Sequence, residues 1–250
     1  MSILLTGGSG KLGSAIIDSG KIKGLLSPSH GELDIASKES ISKYFKRHDD
    51  KIDAIIHCAA LARIMSCEKN PDDAIMVNII GTSQLVQAVL AQEMKSGRKI
   101  RFIHISTDGV YESSTGNYSE EGPAIPYSTY GWSKLGAECA VNCLKNHCII
   151  RTRFFDPENI PFDDAPTDSY SSGLQISELV DAIKTLLDSS FVGTLNVGGE
   201  RLSNFDRFKR YKKELKPTTL KKVQEKAGAP LSKDASMDVS RWKSIIKKKR

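Results

Sequence analysis

Residues 3–13, "ILLTGGSGKLG", decide the fold. An apolar run of Ile3, Leu4 and Leu5 enters a glycine turn, and "GSAIIDSG" (13–20) continues with amphipathic helical spacing. Gly7, Gly10 and Gly13 form G-x-x-G-x-x-G between that strand and that helix. Such a turn needs glycine because it is tight, because its backbone must approach a pyrophosphate, and because helix and strand pack closely. The helix start then offers free N–H groups and its positive dipole end to phosphate. A strand before and a helix after make the triplet a dinucleotide site rather than a merely structural turn. Gly7, Gly10, Lys11, Leu12 and Gly13 are the expected cofactor contacts.

Outward from this turn, strands and helices alternate. "IKGLLS" (22–27) reads as a weaker second strand, 38–48 as a helix and "IDAIIHCAA" (52–60) as a strongly apolar third strand. Helical periodicity runs through 72–94, "IRFIHIST" (100–107) is a buried strand, 112–124 is a polar loop, 130–146 a helix and "CIIRTRF" (148–154) a further strand. This alternation predicts an α/β fold, a Rossmann-type doubly wound parallel sheet with a small, reduced C-terminal substrate lobe. Residues 154–173 are rich in Pro, Asp and Ser and read mostly as loop. A helix is expected at 177–190 with Ser177 as N-cap, then a strand at 193–199. The expected dinucleotide-binding domain is 1–153, completed by 174–198. Residues 154–173 and 199–250 form the substrate lobe.

The bulk properties suit a globular chain: 250 residues, 39% hydrophobic, 26% charged. No apolar run approaches bilayer-spanning length, so no membrane partner is expected. The opening "MSILLTGG" reads as a strand and not as an export signal. Five cysteines without a disulfide-like framework point to a reducing, cytoplasmic compartment. Cys139 and Cys143 lack the further ligands of a zinc site and read as small buried side chains. Net charge is +6, but residues 201–250 hold 17 Lys/Arg against 5 Asp/Glu. That imbalance suits a face beside a negatively charged substrate better than a nucleic-acid surface, and the closing "KKKR" reads as a frayed tail.

Dinucleotide folds that select NAD place a carboxylate after the second strand, on the ribose 2′-OH. Here Ser27, Pro28, Ser29 and His30 follow it, with no acid before Glu32. Hydroxyls and an imidazole favour a 2′-phosphate, so NADP (as NADPH) is expected, with NAD as the alternative. Asp34 and Ile35, in "ELDI", fall where the adenine edge would lie; Asp34 could equally cap a helix.

"YSTYGWSK" (127–134) places Tyr130 and Lys134 four apart, on one helical face. A nearby ammonium favours phenolate, which suits a tyrosine for proton exchange with an alcohol or ketone. Tyr127 and Tyr111 lack that partner. Upstream, Ser106, Thr107 and Asp108 end a buried strand, where ligands of open α/β sheets bind.

With "TGGSGKLG", "DAIIHCAA", "VNIIGT", "ISTDGVY" and "YGWSK" together, the chain resembles the extended short-chain dehydrogenase/reductases. "STD-x-VY", "IIRTRF", "APTDSY" and "SKDASMDVSR" make it most similar to their dTDP-4-dehydrorhamnose reductase branch. The resemblance implies that Thr107 bonds the substrate oxygen, Tyr130 is the general acid, and Lys134 holds the nicotinamide ribose and lowers the tyrosine pKa. It implies that Asn78 and Ser106 support the cofactor site and that Cys58, Ala59 and Ala60 line it. The implied reaction is NAD(P)H-dependent reduction of a 4-keto group on a nucleotide-linked sugar, in polysaccharide biosynthesis; a homodimer is left open.

Related dehydratases carry an acid after Thr-Asp. Gly109 stands there, which argues against dehydration. The missing acid after the second strand argues mildly against a sugar-nucleotide epimerase, which stays a further alternative. The family's additional helix after "IIRTRFF" is absent, and the C-terminal segment is short. A non-catalytic NADP-binding regulatory or scaffold subunit is therefore the alternative. Arg201, Arg241 and the lysines at 209–222 are candidates to face a diphosphate.

Overall fold

Apolar strands separated by amphipathic helices leave one stable solution, a sheet covered on both faces. The structure, a computed structural model, describes residues 1–48 and 51–247, so all but the first lysine of the closing "KKKR" lies outside the described residues. In chain order the first elements are β1 (Ile3–Thr6), α1 (Lys11–Asp18), β2 (Leu25–Leu26), α2 (Lys38–Arg47), β3 (Ala54–His57), α3 (Ile64–Lys69) and α4 (Pro71–Ala74). A π-helical stretch Ile75–Gly81 leads into α5 (Thr82–Ser96), followed by β4 (Arg101–Thr107), α6 (Thr129–Val141) and β5 (His147–Thr152). Then come β6 (Phe154–Phe155), β7 (Asp164–Pro166), β8 (Tyr170–Ser171), β9 (Leu174–Gln175), α7 (Ile176–Leu187) and β10 (Gly193–Val197). The chain closes with β11 (Leu202–Ser203), α8 (Asn204–Lys209), β12 (Lys216–Thr218), α9 (Leu220–Ala227), β13 (Asp234–Ala235) and α10 (Ser240–Lys247).

The central sheet has the order β10-β5-β4-β3-β1-β2, with every pairing parallel. Adjacent residues of each strand feed opposite cores, as a pleat demands. Leu5, Ile56 and Ile103 pack with Leu12 and Ile16 of α1 and Leu179 and Ile183 of α7. Leu4, Ile55 and Phe102 pack with Ile41 and Phe45 of α2, Leu85 and Val89 of α5 and Val141 of α6. This is the doubly wound sheet expected from the sequence. Strand order reverses between β1 and β3, which opens a crevice at their carboxyl ends.

Several local expectations change. The span 71–96 is one apolar segment with a widened π turn in its middle. By length and composition alone it could cross a membrane, although the sequence reading expected no run of that length. Its Leu85, Val86 and Val89 are buried in the core, whereas Ile75, Met76 and Met94 are exposed. The N-cap of α7 is Gln175, not Ser177, and its N–H donates to Glu178 at 2.8 Å. Cys139 and Cys143 are exposed rather than buried; Cys67 and Cys148 are buried. Residues 154–173, expected as loop, contain short strands paired with distant segments: β6 with β9, β7 with β12, and β8 with β11 and β13.

Candidate active site

The glycine turn sits at the β1/β3 crevice. Gly7 has φ +74°, and a Cβ there would lie 2.6 Å from the backbone nitrogen of Ala59. A Cβ at Gly13 would meet Gly7 O at 2.1 Å and Gly8 Cα at 2.7 Å. The turn therefore holds its shape only with glycine at both positions. Gly10 is the N-cap of α1 and provides no side-chain cap, so the amide groups of the first turn, from Lys11 to Gly13, stay available to an anion. A backbone cradle beside an uncapped helix start fits a dinucleotide pyrophosphate. Cys58, Ala59 and Ala60 continue from β3 on the other side of the crevice, half-buried.

After β2, Ser29 donates through its N–H and hydroxyl to Glu32, both at 2.8 Å. Asp34 accepts from Ala36 N–H at 2.9 Å, a local turn role, while Ile35 is buried, with its carbonyl close to Gly81.

The second half of the site is carried by β4 and α6. Ser128 caps α6 by accepting from Gly131 N–H at 3.1 Å. Glu68 of α3 adds a clamp, accepting from the Thr129 N–H at 2.8 Å and hydroxyl at 2.9 Å. These contacts fix the first turn of the helix that carries Tyr130. Half-buried Tyr130 and Thr107, at the end of β4, line one cavity, and the Thr107 side chain opposes the upward push on the phenol. Thr107 Oγ1 also accepts from Gly109 N–H at 3.0 Å. Asn78, on the π turn, accepts from Leu61 N–H at 2.8 Å and donates to Ser133 Oγ at 2.8 Å. It thereby ties the segment after β3 to α6, and the widened turn is what presents its side chain there.

Lys134 does not sit against the phenol. Its ammonium lies 3.3 Å from His104 Nε2, 2% exposed, and burial pulls its pKa down to about 8 against the opposing pull of Glu138. Loss of water pushes the Tyr130 phenol upward, opposed by the Thr107 side chain and more weakly by Arg153. The expected softening of Tyr130 by Lys134 is therefore corrected: helical spacing puts both on one face, but the ammonium is held by the sheet and desolvation dominates. Ser106 is corrected as well. Its hydroxyl donates to Glu138, which Arg151 grips at 2.7 Å, because alternation along β4 turns it toward α6 as it does His104.

A cavity of about 750 Å³ opens beside Thr107 and Tyr130 and reaches Lys11 of the glycine turn. Its walls include residues that sequence reasoning missed. Arg153 donates to Asp108 from Nε at 2.6 Å and from Nη2 at 3.2 Å, and lines the cavity together with Tyr127. Phe155 and Phe162 meet Phe208 edge-on, with ring centroids 5.3 and 4.9 Å away. Arg207, 5% exposed, donates to the carbonyls of Ser171, Gly173 and Glu200. Arg153, one residue beyond β5, carried a visible signal: a charge at a strand's carboxyl end. The aromatic wall and Arg207 carried none, since tertiary folding alone assembles them.

The basic residues proposed to face a diphosphate are engaged elsewhere. Arg201 pairs with Asp234 at 2.6 Å and stacks over Tyr170, Arg241 pairs with Glu121, and Lys212 pairs with Asp163 at 2.8 Å. Arg207 and Lys226 are the late-chain cations that line the cavity. Single carboxylates close by in the fold hold Arg201, Arg241 and Lys212, and Lys209 donates to the carbonyls of Lys213 and Leu215.

The chain is similar to known proteins in sequence and in fold. The probable low-salt glycan biosynthesis reductase Agl14 of Haloferax volcanii is 33% identical over 164 residues, 60% of this chain and 52% of its own. The dTDP-4-dehydrorhamnose reductase of Mycolicibacterium smegmatis is 28% identical over 155 residues, 60% of this chain and 44% of its own. The chain thus spans about half the length of these curated relatives. The dTDP-4-dehydrorhamnose reductase of Bacillus anthracis, solved in complex with NADP, superposes with a TM-score of 0.82 at 23% identity, covering 95% of this chain and 90% of its own. Residues 1–156 match the family described as the RmlD substrate binding domain, and the chain belongs to that family.

Proposed function

We propose that this protein is an NADPH-dependent reductase of a 4-keto group on a nucleotide-linked sugar. The observation that carries the reading is the continuity of one cavity from Lys11 of the glycine turn to Thr107 and Tyr130. The names of the reductase relatives and the NADP bound to the Bacillus anthracis reductase support it.

Gly7, Gly10, Lys11, Leu12 and Gly13 would hold the pyrophosphate, with Cys58, Ala59 and Ala60 across the crevice and Lys134 toward the nicotinamide ribose. When bound, NADPH supplies the hydride that converts the ketone to an alcohol. Tyr130 gives its phenolic proton to the oxygen on which negative charge develops, and Thr107 donates a hydrogen bond to that oxygen. A desolvated phenol that keeps its proton is suited to act as an acid in this direction. Asn78 keeps α6 and the segment after β3 in register around these groups.

Asp108 argues for reduction over dehydration. Its carboxylate is bound in bidentate fashion by Arg153, and Gly109 beside it has no acid to offer. The test is to mix the protein with NADPH and a panel of dTDP-, GDP- and UDP-linked 4-keto sugars while following cofactor absorbance. Oxidation of NADPH with at least one sugar is expected. Tight NADPH binding with no turnover on any of them would favour the regulatory-subunit reading.

A further inference from the structure

We infer that His104 is a positioning residue for Lys134, its Nε2 lone pair holding the lysine ammonium at the sheet side of the active site. The contact itself is structural; its consequence for NADPH rests on the functional reading above, in which Lys134 serves the cofactor.

His104 lies in the middle of β4 and has no exposed surface. Its strand neighbours Phe102, Ile103 and Ile105 are apolar, so packing alone would favour an apolar side chain there. His104 Nε2 is the one hydrogen-bond partner of Lys134 among the described residues, at 3.3 Å. An ammonium is only a donor, so Nε2 must accept, and the ring hydrogen sits on Nδ1. Nδ1 is buried without a partner. A buried imidazole with one nitrogen unsatisfied is maintained by what the other nitrogen does. His57, 5.2 Å away ring to ring, is the contrast, because Thr6 Oγ1 at 2.7 Å and Thr82 Oγ1 at 2.9 Å satisfy both of its nitrogens.

The chemistry is directional. Burial holds His104 neutral, helped by the charge of Lys134. A neutral acceptor stabilises the ammonium without cancelling its charge, whereas a carboxylate in its place would neutralise it. The titratable groups facing Lys134 are His104 on β4, His57 on β3, Cys58 just beyond β3, and Glu138 on α6 itself. Glu138 is largely spent on Arg151 and Ser106. His104 therefore fixes where the ammonium points and adds an acceptor to the pull of Glu138 that keeps it protonated.

Two measurements test this. In protein labelled with ¹⁵N-histidine, long-range ¹H–¹⁵N spectra are expected to show His104 protonated on Nδ1 and bare on Nε2; a proton on Nε2 overturns the inference without any variant. Direct NADPH titrations by fluorescence across pH supply the second. Wild-type affinity is expected to fall as Lys134 loses its charge near pH 8. His104→Leu should move that midpoint down by about one unit, and His104→Gln, which retains an acceptor, should restore it. A midpoint that stays in place in His104→Leu, with affinity lowered equally at every pH, assigns the residue to packing and overturns the inference. Profiles as expected with no keto-sugar reduction would support the role of His104 while removing the proposed reaction.

Discussion

Arg153 grips Asp108 with two hydrogen bonds, of 2.6 and 3.2 Å, on the wall of the cavity that holds Tyr130. The Asp108 side chain is 2% exposed and that of Arg153 34%. Arg153→Met strands a buried carboxylate and should destabilise the fold by roughly 3 kcal/mol, the low end for a buried pair because the arginine keeps some water. Urea unfolding measures this. A loss under about 0.5 kcal/mol, the size of an exposed pair, would mean that Asp108 is solvated.

Tyr130→Phe removes the proposed acid and little else. Keto-sugar reduction should fall by about 10²–10⁴-fold, while NADPH affinity changes only a few-fold. Retention of most of the turnover would require a different proton donor.

Lys134 sets a trade-off between stability and function. Its folded pKa of about 8 lies below its ordinary 10.5. Below pH 8 both states carry the charge and the folded state bears the burial cost in full; from pH 8 to 10.5 the unfolded chain holds the extra proton, so stability rises with pH. Lys134→Met should therefore raise stability at pH 7 by about 3 kcal/mol, with the advantage fading toward pH 10.5. Parallel urea titrations at pH 7 and 10 read the difference, and a variant less stable than wild type at pH 7 contradicts it.

His57 governs the acid side. Burial, with the nearby charge of Lys134, lowers its pKa to about 3 from 6.5. The unfolded chain takes up the proton first as pH falls, so stability is lost progressively from about pH 6.5 down to 3, on the order of 4–5 kcal/mol from this group. His57→Gln should flatten that limb, which circular dichroism during acid titration will report.

The glycine turn tolerates no side chain at its third position. In Gly13→Ala the new methyl would sit 2.1 Å from Gly7 O, so NADPH binding should weaken by at least about tenfold. Wild type should also bind NADPH more tightly than NADH. Equal affinities would refute the assignment of Ser27 to His30 to a 2′-phosphate.

Much of this was legible in the sequence where the cause is local. Apolar runs between helical patterns identified every strand of the central sheet, and the glycine spacing located the crevice. Thr107 and Tyr130 line one cavity because a strand end and the next helix start meet across the sheet edge. Partners set by distant segments were not legible. The actual partner of Lys134 lies 30 residues upstream. The pairing of β7 with β12 joins segments about 50 residues apart, and neither has a pattern of its own. Which carboxylates would claim Arg201 and Arg241 was equally hidden, since any late-chain arginine looks alike in one dimension.

The far wall of the cavity has a property of its own. Leu220, Val223, Lys226 and Ala227 of α9 face it, yet the helix contains no buried residue. Selection can therefore rewrite that helix without unsettling the fold, whereas Tyr130 and Arg207 are bound into the frame. Descendants of this chain that handle new sugars should differ first between Leu220 and Ala227.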